Sequence, residues 1–259
     1  RNAGGGTGKD SDIDKFDTQD EPYEQLISWD PEEKEILGGY RFHVCGHDSN
    51  ADNLATSKLF TFSESFNKTH LPYMIELGRS FIQPKYQSAS AGRKALFALD
   101  NLWDGLGALV IEHPEIKYYF GKVTMYPHYN RDARNMILYF LNSQFSDNEK
   151  MVVPKKPLEL GIDEGKMKSI FTGKTYKENY KILQKKVREF GLNIPPLINA
   201  YMNLSPSMKF FGTAINESFG DVEESGIMIT INDIFPAKKE RHIETYIKNK
   251  LLKVFKFKR

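Results

Sequence analysis

The stretch MIELGRSFI, residues 74–82, decides the fold of this chain. It is typical of a β-strand, and Pro84 stops it. Glu76 and Arg79 have opposite parity on such a strand, so both side chains reach one site only if a bulge intervenes. Gly78, which lies between them, is the natural position for that bulge. We therefore predict a kinked strand beside a polar site, with a structural ion-pair network as the alternative that composition alone favours.

The predicted elements around this strand follow an order that indicates the fold class. Antiparallel strands come first, and a strand–helix–strand–helix order follows. This order indicates an α/β (α+β) protein with a mixed sheet rather than a Rossmann fold or a TIM barrel. We expect residues 45–61 and 150–165 to be loops. The predicted strands are residues 23–29, 37–44, 117–124, 210–216 and 226–231, and the predicted helices are residues 63–70, 92–113, 132–145, 174–190 and 237–252.

The composition describes a folded domain with a basic end. The chain has 259 residues, of which 40% are hydrophobic, and this excludes a disordered protein. Of the net charge of +2, residues 237–259 contribute +7 and residues 1–236 contribute −5, a balance that argues against nucleic-acid binding. We predict one domain over residues 1–236 and a basic amphipathic tail over residues 237–259. The tail either packs on its own domain, which we favour, or docks on an anionic membrane surface.

Several familiar motifs fail on number or spacing. Cys45 is the only cysteine, which excludes a disulfide framework, and we expect a buried, unreactive thiol in a reducing, cytoplasmic compartment. The glycine cluster at residues 4–9 lacks the spacing of a phosphate-binding P-loop. The acidic run at residues 10–21 is not an EF-hand, because Lys15 stands where that loop needs glycine. The six histidines form no metal-binding motif, so we expect no metal site.

A loop of small residues follows the strand at residues 74–82. Ser88, Ser90 and Gly92 lead into the predicted helix, and Arg93 adds a positive charge. The exposed backbone N–H groups and the positive end of the helix dipole at such a start can hold a phosphate group. These four residues are therefore our candidates for binding the phosphate of a donor cofactor.

Six charged residues match one family signature in order and internal spacing. The chain resembles the GNAT superfamily of acyltransferases, in the branch that uses acyl carrier protein. Acyl-homoserine-lactone synthases of this branch carry an acid-x-Asp-x-x-Asp motif, an Arg in the next hairpin and Glu-x-x-Arg on a splayed strand. The segment IELGRS at residues 75–80 is especially similar to the N-acyltransferases of ornithine- and glycine-lipid synthesis. The matching residues are Asp12, Asp14, Asp17, Arg41, Glu76 and Arg79.

The resemblance implies a particular architecture. It implies a mostly antiparallel, twisted sheet with a splayed central strand pair, flanked by helices, and an N-terminal part of the fold that is missing from this chain. A pantetheine arm would enter the wedge between residues 74–82 and 118–124, where backbone N–H groups near Gly78 would polarise the thioester. Ser90 replaces the first glycine of the family's phosphate loop, which is compatible with acyl carrier protein rather than coenzyme A.

The resemblance also implies a reaction. A fatty acyl chain would move from acyl carrier protein to the amine of a small amino acid, glycine as first choice and ornithine as second, without a tightly bound cofactor. Two alternatives stay open: an acyl-homoserine-lactone-type signal synthase, and a non-catalytic GNAT-fold protein with a blocked wedge that binds a membrane or a partner. In the enzyme, Glu76 would be the base with Arg79 beside it, and the acceptor would be bound by Asp12, Asp14, Asp17 and Arg41.

Overall fold

A six-stranded sheet is the centre of the molecule. The computed structural model describes residues 13–87, 92–244 and 246–247, and of residues 92–99 it describes the backbone alone. The strands in this part of the chain are β1 (Glu24–Asp30), β2 (Glu35–Val44), β3 (Phe60–Phe62), β4 (Met74–Ile82), β5 (Tyr118–Met125), β6 (Val152–Pro154), β7 (Lys209–Asn216) and β8 (Val222–Thr230). Six of them form one sheet in the order β1-β2-β4-β5-β8-β7, and β3 pairs with β6 separately.

One parallel pairing divides the sheet into two antiparallel halves. β4 runs parallel to β5, whereas β1-β2-β4 and β5-β8-β7 are antiparallel. A parallel pair needs a crossover connection, which helix α3 (Gly92–Glu112) provides. The mixed, mostly antiparallel sheet is the one that the sequence predicts, and β4 has the predicted bounds.

Most helices begin at residues that cap them well. The Ser63 hydroxyl accepts a hydrogen bond from the backbone N–H of Phe66, and Thr175 forms a capping box with Glu178. Four predicted helices, those before residue 200, are confirmed to within two residues at each end. The α-helices of the described residues are α1 (Lys15–Thr18), α2 (Glu64–Thr69), α3, α4 (Arg131–Phe145), α5 (Glu164–Ile170), α6 (Tyr176–Glu189), α7 (Pro196–Met202) and α8 (Pro236–Lys239).

Four predictions of local structure are wrong in detail. Residues 150–165 are not all loop, because Val152–Pro154 form β6 and α5 begins at Glu164. Residues 45–61 are not plain loop, because they contain 3-10 turns at Ala51–Asn53 and Ala55–Lys58. Helix α7 was not expected in a proline-rich run, yet a proline in the first turn favours a helix. Strand β8 begins four residues before the predicted residue 226, since partners on neighbouring elements neutralise its two glutamates.

The C-terminal segment also differs from the continuous helix expected over residues 237–252. Helix α8 ends at Lys239, and a π-helical turn follows at Glu240–Glu244. Within that turn, His242 Nδ1 lies 2.7 Å from Asp104 Oδ1 on α3. The part of the predicted tail beyond residue 247 lies outside the described residues.

The two faces of the sheet have different coverings. Side chains alternate along each strand, so neighbouring residues point to opposite faces. Leu77 and Tyr119 point to the side covered by α3, α4, α6 and α7, which we call the helical face. Met74 and Phe120 point to the side covered by residues 45–71 and the β3–β6 pair, which we call the loop face.

Candidate active site

A wedge opens between the two parallel strands at the centre of the sheet. β4 and β5 pair over only four residues each, 74–77 with 118–121, although both strands continue further. A cleft lies beyond this point, with a volume of about 360 Å³ when the open solvent space at its mouth is included. It is lined by Leu77, Gly78 and Ser80 on one arm and by Lys122 and Val123 on the other, among other residues. The predicted wedge is therefore confirmed.

A bulge bends β4 at the opening of the wedge. Gly39 pairs with Phe81 and Arg41 with Gly78, so two residues of β4 stand opposite one residue of β2. Arg79 has a φ of +45°, in the left-handed region that non-glycine residues seldom adopt. The predicted bulge is therefore present, but it lies at Arg79 and Ser80 rather than at Gly78, which still pairs with Arg41. It interrupts the regular pairing of β4 with β2 beside the place where β4 and β5 separate.

The bulge brings Arg79 into a cluster with the N-terminal acids. Arg79 Nη2 lies 2.9 Å from Asp14 Oδ2, and Arg41 Nη1 lies 2.8 Å from Asp14 Oδ1 and 3.0 Å from Asp17 Oδ1. Burial acts to raise the pKa of Asp14, but the hydrogen bond from Arg41 and the charges of both arginines lower it overall. Four residues of the predicted signature therefore meet, while Asp12 lies outside the described residues.

Glu76 is a buried hydrogen-bond acceptor on the loop face, with 1% of its surface exposed. Its carboxylate accepts hydrogen bonds from the Tyr23 hydroxyl, the Ala55 N–H at 3.1 Å, the Thr56 N–H at 2.8 Å and the Thr56 hydroxyl at 2.5 Å. Burial and the charge of Glu76 raise the pKa of Tyr23 far above its usual value, so the phenol stays protonated and donates. Glu76 thereby fixes the turn at Ala55–Lys58 to β4.

An apolar cavity adjoins the cleft on the helical face, with a volume of about 460 Å³ when the open solvent space at its mouth is included. It lies between β4, β5 and α3, and the C-terminal π-helical turn forms another wall. The cleft and the cavity share four lining residues, so they are adjacent to each other. These shared residues are Leu77, Tyr119, Tyr201 and Ile229.

The chain is similar in sequence to two known enzymes. It is 56% identical over 253 residues to the glycine N(alpha)-acyltransferase of Phocaeicola vulgatus, covering 96% of this chain and 77% of the relative. It is also 56% identical over 254 residues to the enzyme of that name from Bacteroides thetaiotaomicron, covering 96% and 75%. The chain belongs to this acyltransferase family. A family model described as "Acetyltransferase (GNAT) domain" matches residues 1–96 of the acyltransferase.

Among solved structures, an aminoglycoside 6'-N-acetyltransferase complexed with coenzyme A is similar to the acyltransferase. Its TM-score is 0.34 at 10% sequence identity, and the match covers 84% of this chain and 76% of that chain. The family relationship and the sheet confirm the GNAT resemblance that the charged signature predicts.

The predicted phosphate site of the acyltransferase lies largely outside the described residues. This holds for Ser88 and Ser90. Gly92 begins α3 as predicted, and Arg93 follows it in the first helical turn. The phosphate-binding role of these four residues stays a prediction.

The sequence analysis missed an ion pair beside the wedge. Lys122 on β5 forms a salt bridge with Glu224 on β8. Thr124 Oγ1 and Asn216 Nδ2 also donate to Glu224, at 3.3 Å and 3.2 Å. The position of Lys122 in the segment FGKVT was visible, but nothing local in the sequence connects it with an acid 102 residues away.

Metal ligands, apolar helices and Cys45 bear on other possible functions of the acyltransferase. No group of three or more His, Cys, Asp or Glu side chains in its described part is placed to hold a metal ion. No helix among the same residues is long and apolar enough to cross a membrane. Cys45 is buried, as predicted. Burial, followed by the charge of Glu76, raises the pKa of its thiol to about 12, which disfavours the reactive thiolate.

Proposed function

We propose that this acyltransferase moves a fatty acyl chain from the thioester of an acyl carrier protein to the amine of glycine. The observation that supports a long acyl chain is the apolar cavity behind the cleft. An acyl chain lying there would remove its methylene groups from water, each worth about 0.8 kcal/mol. The two relatives are glycine N(alpha)-acyltransferases by name, which supports glycine as the acceptor.

The bulge of β4 supports the reaction itself. Transfer forms a C–N bond, breaks the C–S bond of the thioester and passes through a tetrahedral intermediate with a negatively charged oxygen. Peptide N–H groups near Gly78 would donate to that oxygen, because Gly78 and Ser80 line the cleft in which the thioester would lie. The amine loses a proton before or during attack, and the departing thiolate takes one up.

Glu76 is our candidate base, and the hydrogen bonds around it bear on whether it acts as a base or as a positioning residue. An ionised carboxylate has about four acceptor positions, and four donors already contact this one. That pattern supports a positioning role for Glu76, and a role as base requires one of these donors to be displaced by the amine or by water. A base that acts in proton removal gives a pH dependence of kcat/KM that the Glu76→Gln variant loses, whereas a positioning residue lowers kcat/KM equally at all pH values.

Acyl carrier protein as the donor is proposed from the family resemblance. Its phosphopantetheine would lie along the wedge with the phosphate at residues 88–92, where a helix start and Arg93 supply positive potential. The small residues at positions 88–92 argue against a non-catalytic protein with a blocked wedge.

The test is an acyl-transfer assay with paired donors and acceptors. Purified protein is incubated with hexadecanoyl–acyl carrier protein or hexadecanoyl-coenzyme A, each with glycine or ornithine, and the products are identified by mass spectrometry. We expect N-hexadecanoylglycine to form most rapidly from the carrier-protein donor. Equal rates with both donors would remove the carrier-protein part of the proposal, and faster acylation of ornithine would replace the acceptor.

A further inference from the structure

We infer that Lys122, tethered by Glu224, binds the carboxylate of the acceptor amino acid in the open space beside Gly78. The inference rests on the proposed function, because it assigns the acceptor site of that reaction. It differs from the expectation that Arg41 and the N-terminal acids bind the acceptor.

Lys122 stands at the point where the wedge opens. The last paired residues of β4 and β5 are Leu77 and Gly121, so Gly78 and Lys122 are the first residues on the two separated arms. Of the described residues that line the cleft, Lys122 alone is charged. Its side chain points to the loop face, where it meets Glu224, and this is the face opposite the apolar cavity.

The cations that the sequence suggested for this task are engaged elsewhere. Arg41 contacts Asp14 and Asp17, and Arg79 contacts Asp14, which ties both guanidinium groups to the N-terminal segment. Lys122 has three N–H donors, and the carboxylate that it contacts among the described residues is that of Glu224. Donors therefore remain for a second carboxylate, that of the acceptor.

Glu224 holds Lys122 in one position. It is 2% exposed, and Thr124 and Asn216 donate to it from two sides. A buried ion pair is weak evidence for stability, because removing both charges from water is costly. A positioned ammonium group at the edge of a cleft has a use beyond stability, which is to fix an anionic ligand.

The space next to Gly78 suits a small acceptor. Gly78 shares parity with Glu76, so a Cβ there would point to the loop face, the same face as Lys122. Such a Cβ would meet no atom of the described residues within 4 Å. An amino acid with its carboxylate on Lys122 and its Cα beside Gly78 presents its amine to the bulge, where the thioester carbonyl would be polarised.

The test compares two acceptors that differ in the carboxylate. We would measure kcat/KM for glycine and for glycinamide at a saturating acyl donor, in the wild type and in Lys122→Met. We expect a loss of roughly 10- to 100-fold with glycine, the range for a lost charge-assisted hydrogen bond, and about the wild-type value with glycinamide. Lys122→Arg should recover most of the loss. Lys156→Met, which breaks an exposed pair with Glu217, is the matched control and should change neither value.

A second variant guards against misfolding. Lys122→Met leaves the buried Glu224 without its counter-ion, so Lys122→Met combined with Glu224→Gln removes both charges together. Thermal unfolding identifies folded variants. An equal loss with both acceptors, or no loss with glycine in the folded double variant, overturns the inference while the proposed function stands. If the wild type acylates neither acceptor, the proposed function fails and the inference fails with it.

Discussion

The loop face and the helical face of the sheet differ in how they are stabilised. On the loop face, charged groups are matched one by one, as shown by Glu76 with its four donors and Glu224 with three. On the helical face, Leu77 and Tyr119 border an apolar space, and the Tyr119 hydroxyl donates a hydrogen bond to the Leu106 carbonyl. The wedge is open between the two, so one sheet can present a charged amino acid and an apolar chain to the same reacting carbon.

The difference predicts unequal tolerance to substitution. Hydrogen bonds to buried charges are directional, and leaving a partner unsatisfied costs about 1–3 kcal/mol for each group. Hydrophobic packing is not directional, and substitutions that conserve side-chain volume usually cost less than about 1.5 kcal/mol. Substitutions of the buried charges on the loop face should therefore cause large losses of stability. Volume-conserving substitutions on the helical face should cause small ones.

The largest effect is expected from Glu76→Gln. The amide cannot accept all four hydrogen bonds, so we expect the free energy of unfolding to fall by about 3 kcal/mol and kcat/KM to fall at least about 100-fold. Urea unfolding and the acyl-transfer assay measure the two quantities. Glu217→Gln on the exposed surface is the control. Wild-type stability in Glu76→Gln would contradict the account of the loop face.

A smaller and more selective effect is expected from Val110→Phe, which enlarges a side chain lining the apolar cavity. We expect kcat/KM to fall about 10-fold for a hexadecanoyl donor and to change little for an octanoyl donor, because the added ring takes the space of the chain end. Val153→Phe adds the same volume at an exposed position outside the cavity. The same loss for both donors would show that the cavity does not hold the acyl chain.

The next prediction concerns the loop face alone and tests the charge of Asp14 with the variant Asp14→Asn. Asparagine caps a helix about as well as aspartate, so this variant mainly removes the charge that faces Arg41 and Arg79. Because the folded pKa of Asp14 is lowered, its contribution is present above the ordinary pKa of 3.8 and is lost as pH falls through the lowered value. We expect a deficit of about 1 kcal/mol near neutral pH, shrinking in stronger acid. A deficit independent of pH in urea unfolding would rule out the charge as its cause.

The smallest effect concerns the reactivity of Cys45. With a thiol pKa of about 12, almost no thiolate forms near neutral pH, and the side chain is also buried. We expect no labelling by a thiol-specific reagent in the native protein and one labelled site after denaturation. Rapid native labelling would show that the loop face opens near Glu76 far more often than its hydrogen bonds suggest.

The sequence predicts those parts of the site whose cause is local. Strand parity and a glycine between Glu76 and Arg79 predict the bulge, because a side chain can change face only where the pleat is interrupted. The family signature predicts that Asp14, Asp17, Arg41 and Arg79 belong together. The helix starts at Ser63 and Thr175 follow from capping rules.

The rest of the site depends on contacts that no local pattern encodes. Lys122 and Glu224 are 102 residues apart in the sequence. The two glutamates of β8 predict an acidic turn, and only the fold shows that Lys122 and Arg134 neutralise them. The apolar cavity is an empty space between separate elements, so its residues look like ordinary core positions. Three of the four hydrogen bonds to Glu76 come from the turn at Ala55–Lys58, a segment that the sequence predicts as polar loop.

The pairing of β5 with β8 has a consequence for how the chain is made. Translation at about 5–20 residues per second separates the synthesis of Lys122 from that of Glu224 by roughly 5–20 s. During that interval β5 has no β8 to pair with, and a strand edge left open can associate with other chains. The outer arm of the wedge is therefore completed late on the ribosome, and we expect truncated chains that end before β8 to aggregate.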